Sequence, residues 1–493
     1  DNYKFIIRCN DVIANMPDVV GLPEAKKARL IAEAKFLRSY WYYELNLLFG
    51  GVPYYTEPIK NIEEAKGSRL SMTDLWNELI KDLTDCINEP NLPDKYNSGD
   101  NDYGHITKGA AYALRGKIYL WLENWGAAEA DFKKVGDCGY RLFTSGANAY
   151  KMLFKEVNEQ CDEMIFSVQC IEEDGYWNSK NRGFGNRCTY GSMWNNYLVN
   201  PDFVDTYECA DGSKFDWSKI IPEYYKLTVN ERRVFFLRDN LTESEIANAK
   251  EQGANMDYYL PSGNEARIRK AYEQRDPRLE MSVITPYATY LGGDGGADNY
   301  FTNRYPFRSQ WIETQNADGT ITQAMFYYLN RKFVTEGVGE GSQKGTGIDM
   351  PKIRYADVLL NLAEALNEQG KIDEAVTVVN QVRARAGAQL LNSNVPTTVM
   401  GQADMRERIR NERYWELLGE DLIYFDELRW KTWKDKKFAT YDDNGKQVVN
   451  GLRQVWGQAT YHYAWGGDHY WLYPIPYNET QMNPNMEQNP GWK

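Results

Sequence analysis

Histidine is scarce in this chain: three residues among 493, at positions 105, 462 and 469. A His-based nucleophile or metal centre therefore has few places to sit, and none of the three stands in an H-E-x-x-H frame. The seven cysteines, at 9, 86, 138, 161, 170, 188 and 209, are odd in number and contain no C-x-x-C. That pattern gives neither a zinc knuckle nor a disulfide framework, so the thiols read as small buried side chains and leave the redox compartment open. No stretch approaches the roughly 18 to 20 uninterrupted apolar residues that span a bilayer, and the opening DNYKFIIRCN is not a signal peptide. Lys/Arg-rich runs are absent too; with a net charge of -13 and a pI near 5.1, the chain lacks the electrostatic footprint of a nucleic-acid binder. GVGEGSQKGTG (337–347) looks phosphate-binding, but its Lys344 precedes Gly345, which breaks the order of a P-loop, so it reads as a flexible loop.

Aromatic residues are abundant instead. They make up 14% of the chain, with 15 Trp and 36 Tyr, while the mean hydropathy is -0.65. Rings on so polar a chain are expected partly at the surface, where the flat face and polar tip of Tyr and Trp suit half-wet recognition. At 57.1 kDa the chain is too long for one simple core, so a large body with inserted subregions, or two domains, is expected. Texture divides it into 1–140, helical in pattern; 141–350, rich in Gly, Asn, Tyr and Pro; 351–435, helical again; and an aromatic, irregular tail, 436–493.

The chain begins inside a helical pattern, Tyr3 to Met16, so a preceding segment is expected. Around EAKFLRSYWYYELNLLFGGVPYY (33–55), Leu30, just before it, and Ala34, Leu37, Trp41, Leu45 and Leu48 within it form one apolar stripe. Phe36, Tyr40, Tyr43 and Leu47 form a second, while Lys35, Ser39, Tyr42 and Asn46 make the wetter side. Successive helical residues lie about 100° apart, so YWYY cannot present one platform, and Trp41 is read as core. Gly50, Gly51 and Pro53 stop the helix. SMTDLWNELIKDLTDCI (71–87) is a further amphipathic helix with Leu75, Leu79, Ile80, Leu83 and Ile87 inward.

Two segments share a register. Gly116, Tyr119, Ala128 and Phe132 in one, and Ala363, Leu366, Ala375 and Val379 in the other, run small, +3 large, +12 Ala, +16 large. This is the spacing of a tetratricopeptide helix pair, in which small residues let two backbones approach. The fold class is therefore mainly α, a tetratricopeptide-like helix-pair scaffold with long loop-rich insertions.

EAKFLRSYWYYELNLLFGGVPYY resembles the aromatic helix and glycine-proline turn of the SusD/RagB family of outer-membrane nutrient-binding lipoproteins. NPDFVDTYECADG (200–212), RDPRLEMSVI (275–284), IRYADVLLNLAEALNEQGKIDEAVTVVNQVRARAG (353–387), IRNERYWELLGEDLIYFDELRW (409–430) and YPIPYNETQMNPNMEQNPGW (473–492) follow in family order. The resemblance implies four helix pairs with the ligand face on inserted loops. It also implies a lipid anchor on the outer membrane facing the exterior, and partnership with a SusC-like TonB-dependent transporter. The family's lipidation Cys is missing, and Cys9 lies within a helix pattern.

A sugar binder needs rings to stack on, flanked by hydrogen-bonding side chains. DGYWNSKNRGFGNRCTYGSMWNNY (174–197) offers Tyr176, Trp177, Tyr190 and Trp194 among Asn181, Arg182 and other polar residues. Its glycines argue for loop. The resemblance points to the same region, since starch-type members carry stacking aromatics before the NPDFVDTY-like stretch; Trp177 and Trp194 are the first candidates, and the competing reading is that both pin the loop to the scaffold. A second segment, TPYATYLGGDGGADNYFTNRYPFRSQW (285–311), brings Tyr287, Tyr290, Tyr300, Tyr305 and Trp311. Its Asp294 and Asp298 could hold a structural Ca²⁺, though the EF-hand pattern is absent and a turn is the simpler reading. TYHYAWGGDHYW (460–471) is a third aromatic group, bordering the ligand face or the transporter.

Catalysis finds no supporting pattern. Glu412 and Glu416 share one helix face, but Arg406, Arg410 and Arg413 interleave with them as a charge lattice. The reading is a non-enzymatic surface protein that captures an oligosaccharide and passes it to a transporter, with no cofactor. A peptide-binding member of the same family, or a tetratricopeptide interaction scaffold, are the alternatives.

Overall fold

The computed structural model describes residues 2–173, 175–186, 189, 194–294, 297–305, 326–339, 345–441, 447–451, 453–459 and 461–492. Five helices build the N-terminal stretch: α1 (Asn2–Asn15), α2 (Glu24–Phe49), α3 (Met72–Asn88), α4 (Lys108–Trp121) and α5 (Trp125–Asp137). Their ends follow from local chemistry. Ser71, Thr107 and Asn124 each accept a backbone N–H of the following first turn, and Gly50, at φ 66°, ends α2 in the left-handed conformation. Each helix packs on the next, and α4 and α5 also pack on α6 (Tyr355–Glu368). That helix in turn pairs with α7 (Ile372–Ala386) and α8 (Gln402–Glu416). The two helical stretches are thus one scaffold with a continuous core from Phe36 and Leu79 through Leu114 and Phe132 to Ala363, Val379 and Ile409.

The repeated register marks the closest approaches. A Cβ on Gly116 would lie 2.6 Å from Cε1 of Phe132, so only glycine admits that ring between α4 and α5. Ala128, Ala363 and Ala375 are fully buried.

The expected wet side of α2 is corrected. Tyr42, Ser39 and Asn46 are fully buried, whereas Trp41 is only half-buried and stacks on Phe5 with ring centroids 4.5 Å apart. The cause is the chain that follows α2. It folds back so that the Tyr42 hydroxyl accepts from Tyr55 N (2.7 Å) and lies against Tyr3 and Tyr54.

The region between the helical stretches is joined to the scaffold by β1 (Met164–Val168), which pairs antiparallel with β4 (Met350–Arg354). Between them lies the hairpin of β2 (Thr289–Asp294) and β3 (Ala297–Thr302). A second core, including Tyr207, Trp217, Phe236, Tyr305, Trp415 and Trp456, fills this region. Where it meets α8, the charges of Glu412 and Glu416 are fully buried. Their partners differ from the expected lattice. Arg278 reaches Glu412 at 2.6 Å and Arg383 reaches it at 2.8 Å, while Arg354 binds Glu416 at 2.7 Å beside Arg385. Arg406 instead pairs with Glu368, Arg410 with Glu407, and Arg413 with Asp357 and Asp426. One arginine, Arg410, keeps a partner on the same helix, but the partners of Glu412 and Glu416 come from elsewhere in the chain.

Trp465 and Trp471 of the tail meet each other and Trp433, just before it, edge to face at 5.5 to 6.0 Å. The chain then returns to the end of α2, where Tyr473 N donates to Leu48 O (2.9 Å) and Asn489 Nδ2 to Phe49 O (3.0 Å).

Candidate ligand-binding face

The aromatic loop is organised by the short helix Lys180–Phe184. Residues 194 to 197 return along it: Trp194 N donates to Arg182 O (3.0 Å), Asn195 N to Gly185 O (2.8 Å) and Asn196 N to Gly183 O (2.8 Å). A Cβ on Gly183 would lie 3.0 Å from the Tyr197 ring, so this glycine lets the ring lie across the helix. The Arg182 guanidinium carbon sits 3.7 Å from the centroid of the Trp194 indole. Even so, Trp194 remains 47% exposed, Tyr197 64% and Tyr176 68%.

Two further segments are tied to this loop. Tyr290 of β2 donates its hydroxyl to Asn186 Oδ1 (3.2 Å), which fastens the hairpin to the loop. Asn178 exchanges backbone hydrogen bonds with Thr346, fastening residues 345 and 346. Asp298 of β3 accepts from Val338 N (2.7 Å), linking the hairpin to the 337–338 turn. The hairpin carries Tyr300, 70% exposed. Exposed rings at 176, 194, 197 and 300 therefore stand on segments bound into one unit by hydrogen bonds.

The sequence candidates divide accordingly. Trp194 and Tyr176 are exposed on these segments, and Arg182 is half-buried beside Trp194. Trp177 is half-buried with its indole seated on Gly345, where a Cβ would come within 2.4 Å of Cδ1. That contact is the loop-pinning role weighed against ligand contact for this residue. Asn181 is fully buried, with Oδ1 accepting from Thr335 N (3.0 Å), so its expected contact with ligand is corrected to a supporting one. Tyr287 and Tyr290 are likewise corrected: both are buried, Tyr287 donating to Phe236 O (2.6 Å), and burial pushes the Tyr287 phenol far above its usual range. Tyr305 is buried as well, accepting from Arg233 Nε (2.7 Å). Tyr190 and Trp311 lie outside the described residues, as does the side chain of Asp294. Asp298 already caps the Val338 N–H, and among the described residues no group of three or more His, Cys, Asp or Glu is arranged to hold a metal.

Tyr300 outranks Tyr290 for a reason strand alternation supplies. Tyr290 pairs with Phe301, and their rings meet at 6.0 Å on the inner face; Tyr300, paired with Leu291, points the other way. Reading 289–302 as a hairpin would have selected it. The open clefts had no sequence signal. One of about 520 Å³ is lined by Arg269, Glu273, Gln274, Glu280 and the buried wall of Tyr287; its neighbour, about 380 Å³, shares Glu273, Gln274 and Arg275. Both are of ligand size but hold none of the exposed rings.

The helix-pair scaffold with its loop-rich insertion is the architecture that the family comparisons identify. The model of the SusD family matches residues 162–492, and a second, described as starch-binding associating with outer membrane, matches 1–120. The chain belongs to the SusD family. It is similar to SusD-like protein P25 of Formosa agariphila, 24% identical over 98% of this chain and 76% of that one. The starch-binding protein SusD of Bacteroides thetaiotaomicron is also 24% identical, over 96% of this chain and 74% of its own length. Among solved structures, a SusD-like protein of Bacteroides fragilis superposes with a TM-score of 0.73 at 21% identity, covering 100% of this chain and 85% of that one. A laminarin-binding SusD-like protein gives 0.63 at 21% identity, covering 100% and 84%. No helix among the described residues is long and apolar enough to cross a membrane.

Proposed function

We propose that this chain binds an oligosaccharide at the face built from Trp194, Tyr176, Tyr197 and Tyr300. On this reading it is held at the outer membrane by a lipid anchor and delivers its ligand to a SusC-like TonB-dependent transporter. The observation that carries the binding role is Trp194, a ring 47% exposed yet fixed in place by Arg182 beside it and a backbone bond beneath it. An indole held this way loses little entropy on binding and can stack on the C–H face of a sugar ring. Family membership supports the reading, since relatives carry starch, laminarin or glycan binding in their names. Hydrolysis is disfavoured by the state of the acids: Glu412 and Glu416 are sequestered among arginines and open to no substrate.

Calorimetry or affinity gels against a panel of oligosaccharides test this. Trp194→Ala is expected to weaken binding by about 1 to 3 kcal/mol, and Tyr300→Ala by less. Full affinity in both variants would place the ligand elsewhere, with the 520 Å³ cleft next to be tested.

A further inference from the structure

We infer that the ligand of this face is anionic, an oligosaccharide bearing carboxylate or sulfate groups, and that Arg182 is the residue that reads the charge. The inference rests on the glycan-binding role of the same face. Arg182 is half-buried, yet among the described residues its guanidinium has no hydrogen-bond acceptor and no carboxylate partner. It is alone in this. Among the described residues, every other arginine that is not exposed donates to a carboxylate, a carbonyl or a side-chain oxygen. This chain pairs its arginines even at the cost of burying whole carboxylates with them. A half-buried cation left without a counter-ion loses hydration and recovers only the cation–π attraction of the ring beside it.

The geometry says what would complete it. The guanidinium carbon lies over the indole at 3.7 Å, and its five N–H donors have no acceptor among the described residues. A sugar hydroxyl can accept from such a fork, but neutral hydroxyls are served equally well by Asn or Gln, of which this loop has many. A fork with no acceptor of its own matches a carboxylate or sulfate, whose paired oxygens take two parallel N–H bonds. The indole 3.7 Å away places a stacking surface for the sugar ring within one residue of the charge reader. The net charge of -13 opposes a polyanion at long range, and it is screened beyond about 8 Å at physiological salt, so selectivity must come from local contact. Arg182 is positioned to supply it.

Two sets of probes separate the claims: neutral maltoheptaose and laminarihexaose against oligogalacturonate and a sulfated galactan oligosaccharide, all measured by calorimetry on the whole chain. The expected result is that one of the acidic probes binds about 10- to 100-fold more tightly than the neutral ones. Arg182→Gln should abolish that preference, Arg182→Lys retain part of it, and Trp194→Phe keep the preference while lowering affinity for every bound glycan. Comparing carboxylated with sulfated probes identifies which anion is read. Tighter binding of neutral glycans, or an acidic preference unchanged in Arg182→Gln, overturns the charge-reading role and leaves the glycan-binding role standing. Failure of neutral and acidic glycans alike overturns both.

Discussion

Asn181 accepts from two donors of one residue, Thr335 N at 3.0 Å and Thr335 Oγ1 at 3.3 Å, and all of these groups are buried. It thereby ties the helix that carries Arg182 to the segment after the hairpin. Its own Nδ2 is buried with no acceptor, a cost the side chain already carries. Asn181→Ala removes that orphan donor but strands the Thr335 N–H, whose desolvation costs about 1 to 3 kcal/mol. The losses exceed the gain, so the urea midpoint should fall by the equivalent of about 1 kcal/mol. An unchanged midpoint would mean that Thr335 finds another acceptor. A side chain that looks like a sugar ligand by composition thus serves the face from beneath, and composition alone has no means of telling the two apart.

At the scale of elements, the turn Glu156–Glu159 is held against the start of β4 by carboxylates in an unfavourable setting. Glu159 accepts from Asp349 N, and the Glu159 carboxyl is pushed up to about 8, first by burial and then by the charge of Asp349. Asp349, accepting from Cys170 N at 2.8 Å, is itself raised to about 6, first by burial. A carboxyl raised in the folded state binds more protons there than in the unfolded chain, where its value is about 4.3. It costs nothing below that pH and destabilises increasingly as pH climbs toward about 8. Glu159→Gln keeps the acceptor and removes the charge. It should raise the unfolding midpoint at pH 8 and leave it unchanged at pH 4; an equal effect at both would show that ionisation of Glu159 is not the cause.

The helices around it were largely legible in the sequence because their apolar positions recur at helical spacing and their caps are local. The close approach of two helices at Gly116 was legible as a small residue at a fixed interval from an Ala and a large residue, but that the Phe132 ring rather than Ala128 lies against Gly116 was not. What could not be read was coverage. Ser39 and Asn46 look wet on a helical projection and are fully buried; Asn46 lies under the returning chain, where its Nδ2 donates to Met72 O at 3.0 Å. The face suffered similarly. Trp194, Tyr176 and Arg182 were recognisable as rings and donors on a glycine-rich loop, but Tyr287 and Tyr290 have the same composition and lie inside.

Across the whole molecule, buried charges join strand pairing and apolar packing in linking insertion to scaffold. Glu163 beside β1, Arg278 before the hairpin and Lys332 after it converge on Arg354, Arg385, Glu416 and Glu420 of the scaffold side. All these side chains are buried, so each depends on its partners rather than on water. Burial alone would raise the Glu416 carboxyl, but Arg385, Arg354, Arg278 and Lys332 together hold it well below the usual range. The same is true of Glu420, held down by Arg354 and Lys332. A depressed carboxylate stabilises the fold fully above its unfolded value, near 4.3, and that contribution is lost as pH falls through the acid range. This is opposite in sign to the Glu159 effect, so the two bound a window of greatest stability on the mildly acidic side of neutrality. Glu416→Ala is the sharpest probe, because it leaves three arginines facing one another without their shared anion. Breaking one partner out of such a buried set costs about 3 to 5 kcal/mol. The expected outcome is a loss of that size in urea unfolding at pH 7, shrinking toward pH 3, where the unfolded chain takes up protons at its carboxyls while Glu416 stays ionised in the fold. A loss under about 1 kcal/mol at pH 7 would mean that water or the remaining acids solvate the arginines, and that apolar packing rather than charge joins the insertion to its scaffold.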